Sequence, residues 1–163
     1  MKRMITTRYF QAGTVVEDLE SKDKYNAIRE LLQKAPFLAT VKDLCLIEEA
    51  AIEREKVYTT GIGRGVAIAH GKTPCVEDTV ILLGISRNGI DFQSMDGKPV
   101  HLLFLIANPP HKCEEYLQAL STLACVMRNQ RFLSTLRRAG SVEQAQRLIA
   151  DKFEAVLQSR CRN

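Results

Sequence analysis

The residues most able to do chemistry in this chain lie between Arg54 and His70, in the sequence REKVYTTGIGRGVAIAH. Glycines within the segment 61–65 free the backbone for positive φ angles, so that several N–H groups could point into one anion-binding concavity. Thr59 and Thr60 add hydroxyl donors. The guanidinium group of Arg54 offers a planar fork that suits phosphate and stays charged at any working pH. This combination predicts a site that handles phosphate.

The histidine follows directly on a short apolar run. Residues 66–69 have the composition of a buried strand, and His70 stands at its carboxyl end, where ligands of α/β sheets usually lie. An imidazole in that place can act as a nucleophile.

Each of these features also has a plain structural interpretation. Most GxGxG clusters are turns, and this one has neither the third-glycine spacing of a dinucleotide fingerprint nor the GK[ST] ending of a P-loop. A histidine after an apolar strand is more often a hydrogen-bonded structural residue than a catalyst. The combination favours a site, because a simple turn needs neither Arg54 nor two threonines nor a histidine at the strand end.

The same string resembles the signature of a known family, the fructose/mannitol-type enzyme IIA domains of the bacterial phosphoenolpyruvate-dependent sugar phosphotransferase system. That signature runs RE, then TTGIG-x-G-x-AIPH. The positions that match it are Arg54-Glu55, Thr59 to Gly63, Gly65, Ala67-Ile68 and His70. Later segments also resemble the family, namely Gly89-Ile90, Met95 to Val100, Leu102 to Ala107 and Tyr116 to Leu120. The resemblance therefore covers the chain from about Tyr25 to Ile149.

The resemblance implies a role for several residues. A histidine phosphocarrier protein would phosphorylate His70 through Nε2, and His70 would pass the group to a cysteine of the enzyme IIB domain for uptake of a fructose/mannitol-type sugar. Arg54 and Thr60 would stabilise the phosphoryl group as charge spreads over its equatorial oxygens. An acceptor such as a carbonyl would hold the other ring nitrogen. Because a protein supplies the phosphate, we expect no metal and no organic cofactor.

Two positions depart from the family pattern. Ala69 stands where the family usually has proline, and the loss of that fixed φ is expected to loosen the presentation of the histidine. Tyr116 stands where many members carry a second histidine that lines the site. His111, at the start of the same predicted helix, could reach that pocket from another angle or be a solvated loop residue. His111 and Tyr116 are thus both candidates to line the site.

Three functional hypotheses follow from the resemblance. The first is a sugar-transport phosphotransferase, an enzyme that relays a phosphoryl group through a phosphohistidine. The second is a nitrogen-type regulatory IIA protein, in which phosphorylation of His70 controls protein–protein binding; a free-standing domain suits this role. The third, motivated by Ala69 and Tyr116, is an inactive site in a domain that only binds partners. Neighbouring genes for IIB and IIC components would favour the transport hypothesis. This sequence does not predict which sugar is taken up, because the membrane component recognises it.

Composition limits the class of protein. A chain of 163 residues with 45% hydrophobic and 26% charged residues is typical of one globular domain, here 1–163. The net charge of +4 is mild and no basic run is interleaved with aromatic residues, so we expect no nucleic acid partner. The chain has no signal-peptide pattern and no run of about 18 apolar residues, which predicts a cytoplasmic protein without direct membrane insertion. Its five cysteines include no CxxC pair and are expected to be reduced thiols.

Hydrophobic periodicity predicts an α/β sandwich, with a mixed central sheet of about four to five strands and helices on both faces. We expect helices at 21–35 (with Ser21 as N-cap), 40–56, 112–128, 130–139 and 142–157. We expect strands within 5–16 and at 66–70, 79–85 and 100–107. Turns are expected at 71–74, 88–89 and 96–97. His101, at the start of the last strand, is assigned a structural or surface role.

Overall fold

A mixed five-stranded sheet separates two helical layers in the computed structural model of the protein, which describes residues 8–161. The strand order is β1-β4-β5-β3-β2, with β3 parallel to β5 and β4 antiparallel to it. The strands are β1 Val15–Val16, β2 Gly61–Gly63, β3 Val66–Lys72, β4 Val80–Ile90 and β5 Val100–Asn108. The predicted α/β fold with a mixed sheet is confirmed. The extent of the domain, 1–163, stays a prediction.

Two helices cover one face of the sheet and three cover the other, each layer with its own apolar core. The first layer holds α1 Lys24–Lys34 and α2 Leu44–Val57, and the second holds α3 Cys113–Val126, α4 Gln130–Arg137 and α5 Val142–Cys161. Along β3, Ala67 and Ala69 pack into the first core, whereas Val66 and Ile68 pack into the second. By this alternation, His70 faces the layer of α3.

The starts of the first two helices differ from the prediction. The N-cap of α1 is Asp23, whose side chain accepts a hydrogen bond of 3.0 Å from the backbone N–H of Asn26, and the hydroxyl of Ser21 instead donates to Glu30. The predicted helix at 40–56 begins later, at Leu44. Asp43 has a left-handed backbone with φ 60°, which a continuous helix cannot contain, and residues 36–40 form a separate 3-10 helix.

Two predicted turns overlap strands: residues 71–72 of the turn at 71–74 belong to β3, and the turn at 88–89 lies within β4. β3 continues through His70 to Lys72, paired with β5 from Val66↔Leu102 to Lys72↔Asn108. This pairing fixes the backbone of His70 without a proline before it, and the looser presentation expected from Ala69 stays a prediction. β4 likewise continues past Ile85 to Ile90, and the predicted turn at 88–89 is an irregularity in its pairing with β5.

Other predictions have mixed outcomes. Of the predicted strand region 5–16, only Val15–Val16 is a strand among the described residues, and residues 5–7 lie outside them. The Nδ1 atom of His101 lies 2.9 Å from the carbonyl oxygen of Ser86, which agrees with its structural role. Within residues 8–161 no helix is both long and apolar enough to cross a membrane. The cysteines whose side chains the structure describes are free thiols: Cys45, Cys75, Cys113 and Cys125.

Candidate functional site

His70 lies near the carboxyl end of β3, beside an open cavity of about 560 Å³ between α2 and α3, which we call the His70 cavity. The parallel strands β3 and β5 both end here, the usual place for a ligand in an α/β sheet. The cavity is lined by residues of α2, β3 and α3, which are Ala50, Arg54, His70, Lys72, Cys113, Tyr116 and Leu117.

A close approach of α2 to β3 brings Arg54 to this cavity. A Cβ atom on Gly71 would lie 3.2 Å from the carbonyl oxygen of Ile47 and 3.3 Å from the backbone nitrogen of Ala51, so a larger residue would push the helix back by a few tenths of an ångström. Arg54 follows Ala51 by three residues, and therefore lies on the same side of α2. Its Nη1 atom donates a hydrogen bond of 3.1 Å to the carbonyl oxygen of Tyr58. Arg54 and His70, which the sequence predicts to share a site, both line the His70 cavity.

The imidazole of His70 is held neutral. Burial, and then the positive charges of Lys72 and Arg54, lower the pKa of His70 from 6.5 to about 4. Its Nε2 atom is buried and has no hydrogen-bond partner within residues 8–161. A buried nitrogen without a partner costs free energy, and such groups cluster at functional sites. A neutral ring next to two cations can accept an anionic electrophile.

Tyr116 covers this imidazole. The two rings stack with centroids 3.9 Å apart and planes 15° from parallel. Burial raises the pKa of Tyr116 and the charge of Arg54 acts in the opposite direction. The aromatic side chain therefore lies against His70 from the helix position where the family pattern often has a histidine.

His111 does not belong to this site. It lies in an exposed turn that precedes α3, rather than in the first turn of the helix, and it is not among the residues that line the His70 cavity. The structure therefore agrees with the interpretation of His111 as a solvated loop residue. Pro109 and Pro110 precede the helix, which begins only at Cys113.

Thr60 belongs to a buried network of hydrogen bonds next to the site. Its hydroxyl donates a 2.5 Å hydrogen bond to Oε2 of Glu55, and its backbone N–H lies 3.1 Å from both carboxylate oxygens. The Nζ atom of Lys24 lies 3.3 Å from the same carboxylate, and both charged side chains are almost fully buried. This Lys24–Glu55–Thr60 network fixes the chain between α2 and β2. The Thr60 hydroxyl is used there and does not line the His70 cavity.

The glycine-rich segment does not cradle an anion at His70, contrary to the prediction. Residues 63–65 form the turn between β2 and β3, all with positive φ, at the opposite end of β3 from His70. Four residues of strand, roughly 13 Å, separate the two places. The backbone N–H of Arg64 donates to Oδ2 of Asp96 at 3.0 Å and is not free for a ligand.

Sequence reasoning missed two charged residues of the site region. Lys72 lies two positions after His70 on β3, so both side chains lie on one face of the strand and line the cavity. The sequence analysis missed Lys72 because it predicted a turn at 71–74. Glu55 was matched to the signature without a role, since its partner Lys24 is far away in sequence. No group of three or more His, Cys, Asp or Glu side chains in the described part of the chain could hold a metal ion.

The sequence matches a family of known proteins. Residues 8–152 match the family described as "Phosphoenolpyruvate-dependent sugar phosphotransferase system, EIIA 2". The chain belongs to this family. The resemblance stated from the residues around His70 is thereby confirmed, and an EIIA type-2 protein has a general phosphotransferase role.

Relatives of this EIIA type-2 chain have names of two kinds. It is 35% identical over 138 residues to the "PTS system fructose-specific EIIABC component" of Bacillus subtilis, covering 85% of this chain but only 22% of that protein. It is 37% identical to the "PTS system fructose-specific EIIA component" of Haloferax volcanii, covering 80% of this chain and 85% of the relative. It is also 37% identical to the "Nitrogen regulatory protein" of Bradyrhizobium diazoefficiens, covering 76% and 80%.

Solved structures share the fold. The nitrogen regulatory protein IIA-Ntr from Neisseria meningitidis superposes with a TM-score of 0.75 and 28% identity, covering 83% of this chain and 92% of that one. Enzyme IIAMTL of Escherichia coli, in its complex with phosphorylated enzyme IIBMTL, gives a TM-score of 0.68 over 86% and 96% of the two chains. At 21% identity, the second likeness shows the fold alone.

Proposed function

We propose that this EIIA type-2 chain is a phosphoryl carrier of the sugar phosphotransferase system. His70 accepts the phosphoryl group on Nε2 from the histidine phosphocarrier protein and passes it to a cysteine of an enzyme IIB domain. The observation that carries this proposal is the buried Nε2 atom without a hydrogen-bond partner in the described part of the chain, in an imidazole whose pKa is about 4. At neutral pH that nitrogen has its lone pair available in the tautomer with the proton on Nδ1.

The transfer proceeds by two displacements. The Nε2 lone pair attacks the phosphorus atom of the donor phosphohistidine; an N–P bond forms at His70 as the donor's N–P bond breaks, and its electron pair returns to the donor ring. The thiolate of the IIB cysteine then attacks phosphorus, so that an S–P bond forms and the bond to Nε2 breaks. No metal or organic cofactor takes part in either step.

Two cations of the His70 cavity stabilise the transferring group. Arg54 and Lys72 line the same cavity as the imidazole, where they offset the charge spread over the phosphoryl oxygens. Thr60 acts as a positioning residue, because its hydroxyl is bound to Glu55. Tyr116 stacks on the ring and holds the plane of the imidazole in position.

Sugar uptake of the fructose/mannitol type is the first choice of role, supported by the fructose-specific relatives in Bacillus subtilis and Haloferax volcanii. A structure in which a IIA fold binds phosphorylated IIB supports the acceptor. The second candidate is a nitrogen-type regulator, in which phosphorylated His70 controls protein binding; it is supported by the relative in Bradyrhizobium diazoefficiens and by IIA-Ntr of Neisseria meningitidis. Both roles place the chain in the cytoplasm with its phosphocarrier donor.

The test is transfer of radioactive phosphate from phosphoenolpyruvate through purified general phosphotransferase proteins. We expect the wild type and the exposed-loop variant His111→Ala to acquire an acid-labile, base-stable label, and His70→Ala to acquire none. An unlabelled wild type beside an active donor would overturn the proposal and favour a domain that only binds partners. Chasing the label onto a fructose-type IIB domain then separates the roles, since a regulator would retain it.

A further inference from the structure

A second concavity lies at the other end of the sheet, away from His70. It has a volume of about 240 Å³ and is lined by Ser86 and Arg87 of β4 and by Ser134, Arg137 and Arg138 at the end of α4. We call it the arginine pocket. Ile85, next to Ser86, pairs with Leu102, which pairs in turn with the first residue of β3. The pocket is therefore separated from His70 by the part of β3 from Val66 to His70, roughly 13 Å along the strand.

The charges of the arginine pocket are not neutralised by the protein. None of its lining residues is acidic. No ion pair or hydrogen bond joins the guanidinium groups of Arg87, Arg137 and Arg138 to any residue between 8 and 161, whereas the cation of Lys24 is paired with Glu55. Three like charges around one small space repel one another, and an anion between them would relieve that repulsion.

One residue of the pocket lining, Ser86 of β4, has a hydroxyl group that a hydrogen bond holds in place. Ser86 is buried, with 2% of its surface exposed. Its carbonyl oxygen lies 2.9 Å from Nδ1 of His101, and its Oγ atom accepts a 3.1 Å hydrogen bond from the backbone N–H of Gly89. Because Oγ already accepts a hydrogen bond, its own proton is left to be donated. No acceptor for that proton lies within the described residues, which makes it available to an anion.

The arginines at the end of α4 are not needed to cap the helix. The backbone N–H of Arg138 reaches the carbonyl oxygens of Ser134 and Thr135 at 3.3 and 3.2 Å, and that of Ala139 reaches Leu136 at 3.2 Å. The carbonyl groups of Ser134, Thr135 and Leu136 near the end of α4 are thus satisfied by the main chain. The guanidinium groups remain free for another purpose.

We propose that the arginine pocket binds the phosphate group of a small molecule, independently of His70. Guanidinium forks match phosphate oxygens in pairs, and serine hydroxyls supply further donors. Since a water molecule occupies about 30 Å³, the pocket has room for inorganic phosphate or for a phosphate monoester with a short substituent.

The experiment is titration of the ¹⁵N-labelled full chain with inorganic phosphate and, separately, with glycerol 3-phosphate, followed by amide NMR shifts. We expect saturable shifts at Ser86, Gly89 and Ser134 for at least one probe, unchanged in Arg54→Gln. Each of Arg137→Gln and Arg138→Gln should weaken binding about tenfold or more, the usual scale of a charge-assisted hydrogen bond. Arg131→Gln, an exposed arginine on the same helix outside the pocket, is the control for net charge and should change binding less than twofold.

The outcomes are separable. Binding of either probe, lost in the pocket variants but kept in Arg131→Gln, supports the site, and the tighter probe tells whether free phosphate or a monoester is its source. Three results would overturn the proposal: no saturable shift at millimolar concentrations of both probes, equal weakening in Arg131→Gln, or shifts confined to the His70 cavity. The substituted arginines are exposed, so these variants should keep the wild-type spectrum elsewhere.

Discussion

Polar groups at the two ends of strand β3 differ in whether they have a hydrogen-bond partner within the protein. At the amino end, in the turn 63–65, the backbone N–H of Arg64 is bound to Asp96, and the neighbouring His101 is bound to Ser86. At the carboxyl end, Nε2 of His70 is buried and has no partner among residues 8–161. The glycine-rich end looks like an anion site in sequence, but only the histidine end places a buried, unpartnered ring nitrogen beside two cations, those of Arg54 and Lys72.

This difference indicates that the carboxyl end of β3 is the functional end. A polar group that is satisfied within the protein stabilises the fold, and its removal costs stability. A buried polar group without a partner costs stability and is retained where a reaction uses it. Variants at the two ends should therefore change different properties, and four predictions test this division.

The largest effect is expected in the buried Lys24–Glu55–Thr60 network, in which each side chain has a partner. Glu55→Gln leaves Lys24 buried without its counter-charge, which should lower the free energy of unfolding by about 3–5 kcal/mol. Urea denaturation measures the change. Glu53→Gln on the same helix is the control, since its pair with Lys56 is exposed and should be worth less than about 1 kcal/mol. Equal losses in both variants would contradict the importance of the buried network.

Arg54→Gln should reduce the rate of phosphoryl transfer about 100-fold or more, the usual cost of removing one donor that stabilises a developing charge. Its stability should change little, because the side chain is exposed. The matched variant Arg64→Gln removes an exposed arginine at the other end of β3 and should transfer at the wild-type rate. Rapid-quench labelling compares the three proteins, and the distinction between the two ends fails if Arg64→Gln is the slower variant.

Gly65→Ala tests the amino end alone. Gly65 has φ 78°, a left-handed conformation that an alanine adopts at a cost of about 1–2 kcal/mol. Thermal unfolding should show this loss, while phosphoryl transfer below the melting temperature stays at the wild-type rate. A large loss of transfer in a folded Gly65→Ala protein would mean that the turn takes part in the site.

The smallest effect at neutral pH concerns the protonation of His70. Because the folded pKa is about 4 and the unfolded value is 6.5, the unfolded chain binds more protons between these values. The contribution of His70 to stability should be constant above pH 6.5 and fall as pH drops towards 4, and His70→Gln should remove that part of the pH dependence. Transfer should stay level down to about pH 5 and be half-lost near pH 4. NMR titration of the imidazole checks the value, and a pKa near 6.5 would show that the ring is not shielded.

Sequence alone brought Arg54 and His70 of the candidate site together because they are near one another in the chain. Arg54 and His70 belong to one short string, and periodicity places the histidine at a strand end. The partner of Glu55 could not be found this way, since Lys24 comes from a different helix and meets it only after packing. Lys72 was missed because a Gly-Lys-Thr-Pro string is typical of a turn, whereas pairing with β5 extends the strand.

The fold was predictable to a similar degree. Apolar runs located the central strands, but local signals misplaced several boundaries. The left-handed backbone of Asp43 delays α2, and the irregular pairing of β4 absorbs a predicted turn at Gly89. Both depend on neighbouring elements rather than on local propensity. The arginine pocket has the same origin, since it joins Ser86 and Arg138 from distant parts of the chain.

The central claim is that the unpartnered nitrogen of His70 is the atom that carries the phosphoryl group. The direct measurement is ¹⁵N NMR of histidine-labelled protein after phosphorylation, which distinguishes the ring nitrogens of His70, His101 and His111. We predict a single phosphohistidine, with phosphorus bonded to Nε2 of His70. Phosphorus on Nδ1 of His70, or on either of the other two histidines, would contradict the account.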